Sequence, residues 1–247
     1  LARRARRPGL HSAAAAADQL SELARRGVTS FMERRVLLDE SSSPWLMGHG
    51  SPAPLELVGT GFTDLVIRSI RLVRRLAGHG RFVFVGSEQA QRGEMTLGQA
   101  LRPCEYAVIG TLEMHLREAL DAWRPRHATT EDLAWHPGEE RMQPREWMAR
   151  FREEVCPEIV YGVYRATDIA PPHLFFAHRA HVHTAARVAI ADSRFDDRRG
   201  FPMLIDLADR VCRSVYAGGS LREMCETAYA RAGAPFRYRS ERATRDR

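Results

Sequence analysis

The clearest pattern of apolar and polar positions runs from Phe62 to Ala77. Phe62, Val66, Ile70, Val73 and Ala77 fall on one helical stripe, and Arg68, Arg71 and Arg75 on another. That period predicts an amphipathic helix, and Gly78-His79-Gly80 predicts its end, because glycine accepts the left-handed backbone that closes a helix. Phe82 and Phe84 alternating with Val83 and Val85 predict a strand over 81–85. Further strands are predicted at 104–109, 159–164 and 174–178. The unbroken run Val36-Leu37-Leu38 predicts a buried strand over 34–40 ending at Asp39, followed by a turn and a short strand at 45–47. Residues 182–190, with Val188-Ala189-Ile190 as their apolar end, predict another strand, continuous with 174–178 or separated from it. Helices are expected at 12–26, 111–123, 146–155, 202–216 and 221–232.

Residues 124–145 break this rhythm with Pro125, Pro137, Pro144 and many charges, which marks an insertion or lid. Strands resume after it, so the expectation is a single domain over 1–247. The order of elements favours a mixed central sheet flanked by helices over a doubly wound parallel sheet.

Composition narrows the setting. No run approaches the roughly 18 apolar residues that cross a bilayer, and Ala13 to Ala17 is too short for a signal-peptide core, so a cytoplasmic protein without membrane contact is expected. The chain begins with leucine, which suggests a fragment or a processed chain. Cys104, Cys156, Cys212 and Cys225 form no C-x-x-C pair, which argues against a zinc knuckle and a disulfide framework. All 37 basic side chains other than histidine are arginine, and the net charge of +6 suits a polyanionic partner. Arginines gather at both ends, at positions 3, 4, 6 and 7 and at 237, 239, 242, 245 and 247, as solvated tails or as phosphate contacts.

Nucleotide-binding glycine loops and the G-x-S-x-G elbow do not occur in the sequence. Three groups of residues are left as candidates for chemistry. In the 202–216 helix, opened by Gly200-Phe201-Pro202, Asp206 and Asp209 share the face opposite Leu204, Leu207, Ala208, Val211 and Val215. They either present carboxylates at a sheet edge or pair with Arg210 and Arg213 four residues on. Asp39 and Glu40 follow the Val36-Leu37-Leu38 run at the end of the strand expected at 34–40, Glu33 lies just before that strand, and carboxylates at a strand mouth are a usual metal-ligand position in phosphoryl transfer. The cluster His173, His178, His181 and His183 gives the third group. On a strand, His181 and His183 would share one face with Arg179, either as half of a zinc site or as a polar face turned to solvent or to an anion.

With these residues in view, the chain resembles the NurA nuclease family, which works with the HerA translocase on DNA ends. The resemblance rests on Arg187-Val188-Ala189-Ile190 followed by Gly200-Phe201-Pro202 through Asp209-Arg210, on Glu33 upstream of the His49-Gly50-Ser51 loop, and on the strand 82–85 ending in a polar turn. It spans most of residues 30 to 215. It implies an RNase H-like fold, a homodimer, a HerA-like hexameric ATPase as partner, and DNA cleavage dependent on Mn²⁺ or Mg²⁺. Glu33, Asp39 and Asp209 are then the expected catalytic residues, and Glu33, Asp39, His49 and Asp209 the metal ligands. Arg68, Arg71, Arg179, His181 and His183 are the expected nucleic-acid contacts. The chain departs from the family where His49 stands for the aspartate of a D-G-S loop and Asp209 for a histidine, each swap keeping a group able to bind manganese. A first D-G-S, expected upstream of Glu33, is not in the sequence. A catalytically inactive NurA-like interaction protein and a zinc-dependent hydrolase using His181 and His183 are the alternative expectations.

Overall fold

A computed structural model describes residues 30–39, 43–53, 63–86, 92–123, 134–135, 139 and 142–217, the side chains of 92, 93 and 212–217 excepted. Contacts divide the chain into two compact units, Leu1–Pro202 and Met203–Arg247. The first holds a five-stranded sheet made of β1 (Leu46–His49), β2 (Phe82–Gly86), β3 (Glu105–Thr111), β4 (Ile159–Arg165) and β5 (His173–His178). Its spatial order is β1-β2-β5-β4-β3. β1 and β2 run parallel, while the pairs β2–β5, β5–β4 and β4–β3 are antiparallel. The sheet is therefore mixed, as the order of elements implied.

Helices α1 (30–39), α2 (Thr63–His79), α3 (Arg92–Ala100), α4 (Leu112–Ala122), α5 (Pro144–Arg150) and α6 (Val182–Ser193) complete the first unit. Strand alternation sends Phe82, Phe84, Ile159, Tyr161, Val163, Leu174 and Phe176 to one face, where α2, α4 and α5 cover them with Ile67, Ile70, Leu112, Leu116 and Trp147. α6 lies on β5, β2 and β4. Its buried side chains are Val182, Ala185, Ala186, Ala189, Ile190 and Ser193. The buried residues of α2 include Val66, Ile70 and Val73, the apolar stripe read from sequence. Gly80 ends that helix at φ +73°, and its amide bonds the Leu76 carbonyl at 3.1 Å.

Two strands expected from sequence are helices. Residues 30–39 form α1, in which Arg34 is buried, Leu37 and Leu38 pack against the core, and Val36 is exposed. A three-residue apolar run fits a buried strand or a helix equally well, and the spacing 34, 37, 38 is helical. Residues 182–190 lie in α6, whose buried positions follow a helical period that the β-branched Val188 and Ile190 conceal. α6 is also separate from β5: Arg179–His181 forms a single 3₁₀ turn between them. The helix expected at 146–155 is divided, with α5 continuing as a π-helical turn over Phe151–Val155.

The second unit holds α7 (Met203–Ala217), at the place the Gly-Phe-Pro start indicated. No described helix is long and apolar enough to cross a membrane. The helices expected at 12–26 and 221–232 lie outside the described residues, as does most of 124–145. Trp135, within that insertion, is buried and packs tilted against Trp147, with 4.8 Å between ring centroids.

Candidate site at the carboxyl edge of the parallel strand pair

Because β1 and β2 are parallel, both deliver their carboxyl ends to one edge of the sheet, and the antiparallel β5 begins there. The carboxyl edge of parallel strands is where open α/β sheets commonly bind ligands. His49 is the last residue of β1, Gly86 the last of β2, and His173 the first of β5.

Arg34 organises this edge. Its guanidinium donates to the Ser30 carbonyl at 2.9 Å, to the His49 carbonyl at 3.0 Å and to the Ser51 carbonyl at 3.1 Å. It lies 5.3 Å from the centre of the Phe84 ring and 3.2 Å from the Glu33 carboxylate. With 5% exposure it is a buried cation, and backbone oxygens supply much of its solvation. One guanidinium thus stands between Glu33 and the His49-Gly50-Ser51 loop.

The third part of the edge comes from the segment after α6. Gly200, at φ +55°, brings its Cα against Ala170, where a Cβ would lie 2.4 Å from the Ala170 Cβ. Only glycine accepts both that backbone and that approach. Phe201 is thereby set with its ring edge-on to His49 at 5.7 Å and to His173 at 5.3 Å. The Tyr164 hydroxyl bonds the Ser193 hydroxyl at 2.8 Å and donates to the Gly200 carbonyl at 3.4 Å, tying β4 to the same segment.

His173 donates from Nε2 to the Arg199 carbonyl at 2.7 Å. Burial holds its pKa below the ordinary 6.5, while the backbone of Arg199 and Gly86 acts the other way. His115, on α4 between Tyr161 and Phe176, is lowered for the same first reason, against the Glu94 charge, which raises it. An unfolded chain binds protons that these half-buried rings resist. Stability is therefore expected to be full above pH 6.5 and to fall as the pH drops through the window beneath it. Urea midpoints measured across that range check this, and a midpoint that rises on acidification would overturn it.

The other expected site residues are described on their own elements. Asp39 is on α1, not at a strand mouth, and its carboxylate meets Arg75 of α2 at 2.8 Å and Arg35 at 3.3 Å. The Arg75 hydrogen bond is the main cause holding its pKa below 3.8. Six residues apart on one helix, Glu33 and Asp39 are separated by about 9 Å of rise and about 240° of rotation, so they occupy different faces. Asp209 is an exposed residue of α7 in the second unit. Asp206, beside it, pairs with Arg210 at 2.6 Å, the i,i+4 pairing read from sequence.

Arg68 is exposed on α2, whereas Arg71 lies over the Trp147 ring at 5.0 Å and serves packing. Arg179 is exposed in the 3₁₀ turn. His181 faces Trp45 and His183 bonds the Tyr106 hydroxyl, so the two do not form the shared strand face expected of them. Among the described residues, no three His, Cys, Asp or Glu side chains gather as a metal-binding group.

Arg34 and Tyr164 were not singled out by sequence reasoning, and His173 was named only as a member of the histidine cluster, not as part of this edge. The only signal for Arg34 was its helical spacing from Leu37 and Leu38. No family model matches the chain, and neither a curated protein nor a solved structure matches it.

Proposed function

We propose that this chain is a NurA-like domain of RNase H-like type that acts on DNA ends as a metal-dependent nuclease, with the Glu33–His49–Phe201 edge as the place where it meets the phosphodiester backbone. One observation carries the reading. Glu33, His49-Gly50-Ser51 and Gly200-Phe201 are far apart in sequence, and each was singled out by the resemblance. In the fold they meet around the Arg34 guanidinium and the Phe201 ring. The end of β2, the strand of the third place on which the resemblance rests, adjoins them.

Of the four expected ligands, Glu33 and His49 belong to the two segments that Arg34 joins, and a carboxylate and an imidazole are both manganese donors. Asp39, held by two arginines, is not brought to them. When bound, Mn²⁺ or Mg²⁺ would supply charge neutralisation at the scissile phosphate and a more acidic water. The chain's own contribution is positional: Arg34 fixes the His49–Ser51 loop beside Glu33, and Phe201 fixes the His49 ring. DNA, a second copy of the chain and a HerA-like ATPase in the cytoplasm are the partners of this reading.

A second reading, a NurA-like interaction protein without catalysis, draws on Arg34 itself. Its permanent charge already neutralises the Glu33 carboxylate at 3.2 Å and opposes a divalent cation there.

The discriminating assay incubates linear single- and double-stranded DNA with Mn²⁺ or chelator, using the wild-type chain and the Glu33→Gln, His49→Ala, Asp39→Asn and Asp209→Ala variants. The nuclease reading expects chelator-sensitive cleavage that falls at least about a hundredfold in the first two variants. Loss confined to Asp39→Asn or Asp209→Ala would overturn the assignment of the edge. Binding of DNA without cleavage would favour the second reading.

A further inference from the structure

At the opposite end of β5, a histidine side chain stands where a non-titrating cap is usual. His178 is the last residue of β5, and its extended backbone (φ −66°, ψ 137°) leads into the Arg179–His181 turn and then α6. Its Nδ1 accepts the Ala180 amide N–H at 3.1 Å. A ring nitrogen that accepts a hydrogen bond carries no proton, so in this tautomer the proton is on Nε2. That atom faces Glu158 Oε2 at 3.4 Å, in the turn ahead of β4. Serine, threonine or asparagine at such a position keeps its acceptor at every physiological pH. Histidine loses its acceptor on protonation.

We propose that His178 is a proton-operated cap on the β5–α6 corner. Neutral, it closes the turn that starts α6. Protonated, it gives up the Ala180 amide, pairs with Glu158 and releases the segment that presents Arg179 and His181. The geometry alone supplies both states: an acceptor bond that one proton abolishes, and a carboxylate already placed to take the charge.

The groups around the ring set where the change occurs. Burial is the largest influence and disfavours the charged ring, followed by Glu158, which favours it, and then by His181 and Arg179, which oppose it. The balance is downward, so release belongs to the mildly acidic range below 6.5. The inference concerns the corner alone and holds whatever the carboxyl edge of β1 and β2 acts on.

The test is amide hydrogen exchange at Ala180, followed by NMR on the whole chain at about pH 7.5 and about pH 5.5. In the wild-type chain the protection factor is expected to fall about tenfold on acidification, the scale of a lost cap. His178→Asn replaces Nδ1 by an amide oxygen that accepts the same bond and does not titrate, and its protection should be unchanged between the two conditions. Glu158→Gln, which leaves the cap intact but removes the counter-charge, should move the transition to lower pH. Equal loss of protection in wild type and His178→Asn would overturn the proposal, as would a wild-type amide that stays protected through His178 protonation.

Discussion

Arg34→Ala is expected to lower the unfolding free energy by about 3–5 kcal/mol, read as a reduced denaturant midpoint with an unchanged slope. The magnitude follows from what the side chain holds. Three backbone carbonyls, those of Ser30, His49 and Ser51, take their hydrogen bonds from its guanidinium. Bonds to a charged donor are worth about 1.5–3 kcal/mol each at most, and they are not additive within one group. The cation also lies over Phe84 at 5.3 Å, worth about 1 kcal/mol. Against a total stability of about 5–15 kcal/mol this is a large share. Arg34→Lys should recover only part of it, because an ammonium is a point charge that cannot span carbonyls from α1 and from the β1 loop together. A loss below about 1 kcal/mol in Arg34→Ala would mean that α1 is not fastened to the edge through this residue. The same variant would also free Glu33 of its partner, so its effect on Mn²⁺ binding separates the two functional readings.

Trp147→Ala should cost about 3–5 kcal/mol by the same measurement, for a different reason. Trp147 is wholly buried in α5 and packs tilted against Trp135, with 4.8 Å between ring centroids. Arg71 lies over its ring at 5.0 Å, and Arg74 lies over that of Trp135 at 4.7 Å. Trp135 is fixed in turn by donating from Nε1 to Glu154 at 2.9 Å. Removing the Trp147 indole leaves a cavity that a hydrogen-bonded neighbour cannot collapse to fill, and it takes the surface from beneath Arg71. Trp147→Phe, which keeps a ring, should retain most of the stability. A cost below about 1 kcal/mol for the alanine variant would place this tryptophan pair outside the core.

Much of the architecture can be read from neighbouring residues. The α2 stripe, the alternation in β2, the strands β4 and β5, and the start of α7 at Gly-Phe-Pro all follow from periods within one turn or one strand. So does the Asp206–Arg210 pair, whose partners are four residues apart. Where the local signal was ambiguous, the reading failed. Val36-Leu37-Leu38 and Val188-Ala189-Ile190 are short apolar runs, and their helical state is fixed by which side chains find a neighbour to bury against. In α6 the alanines at 185, 186 and 189 carried the helical period, but small side chains contribute little to an apolar pattern.

The site divides in the same way. The sequence by itself named Glu33, His49, Gly200 and Phe201 as residues of interest, because each belongs to a motif contained in a few consecutive positions. It did not determine that they share an edge, that Asp39 is turned instead to Arg75 of α2, or that Arg34 is buried among carbonyls from two segments. Those outcomes depend on the parallel pairing of β1 with β2 and on the placement of α1. A local period is set by the geometry of consecutive residues, whereas the partner of a charge is chosen among groups that only the folded chain brings within a few ångströms.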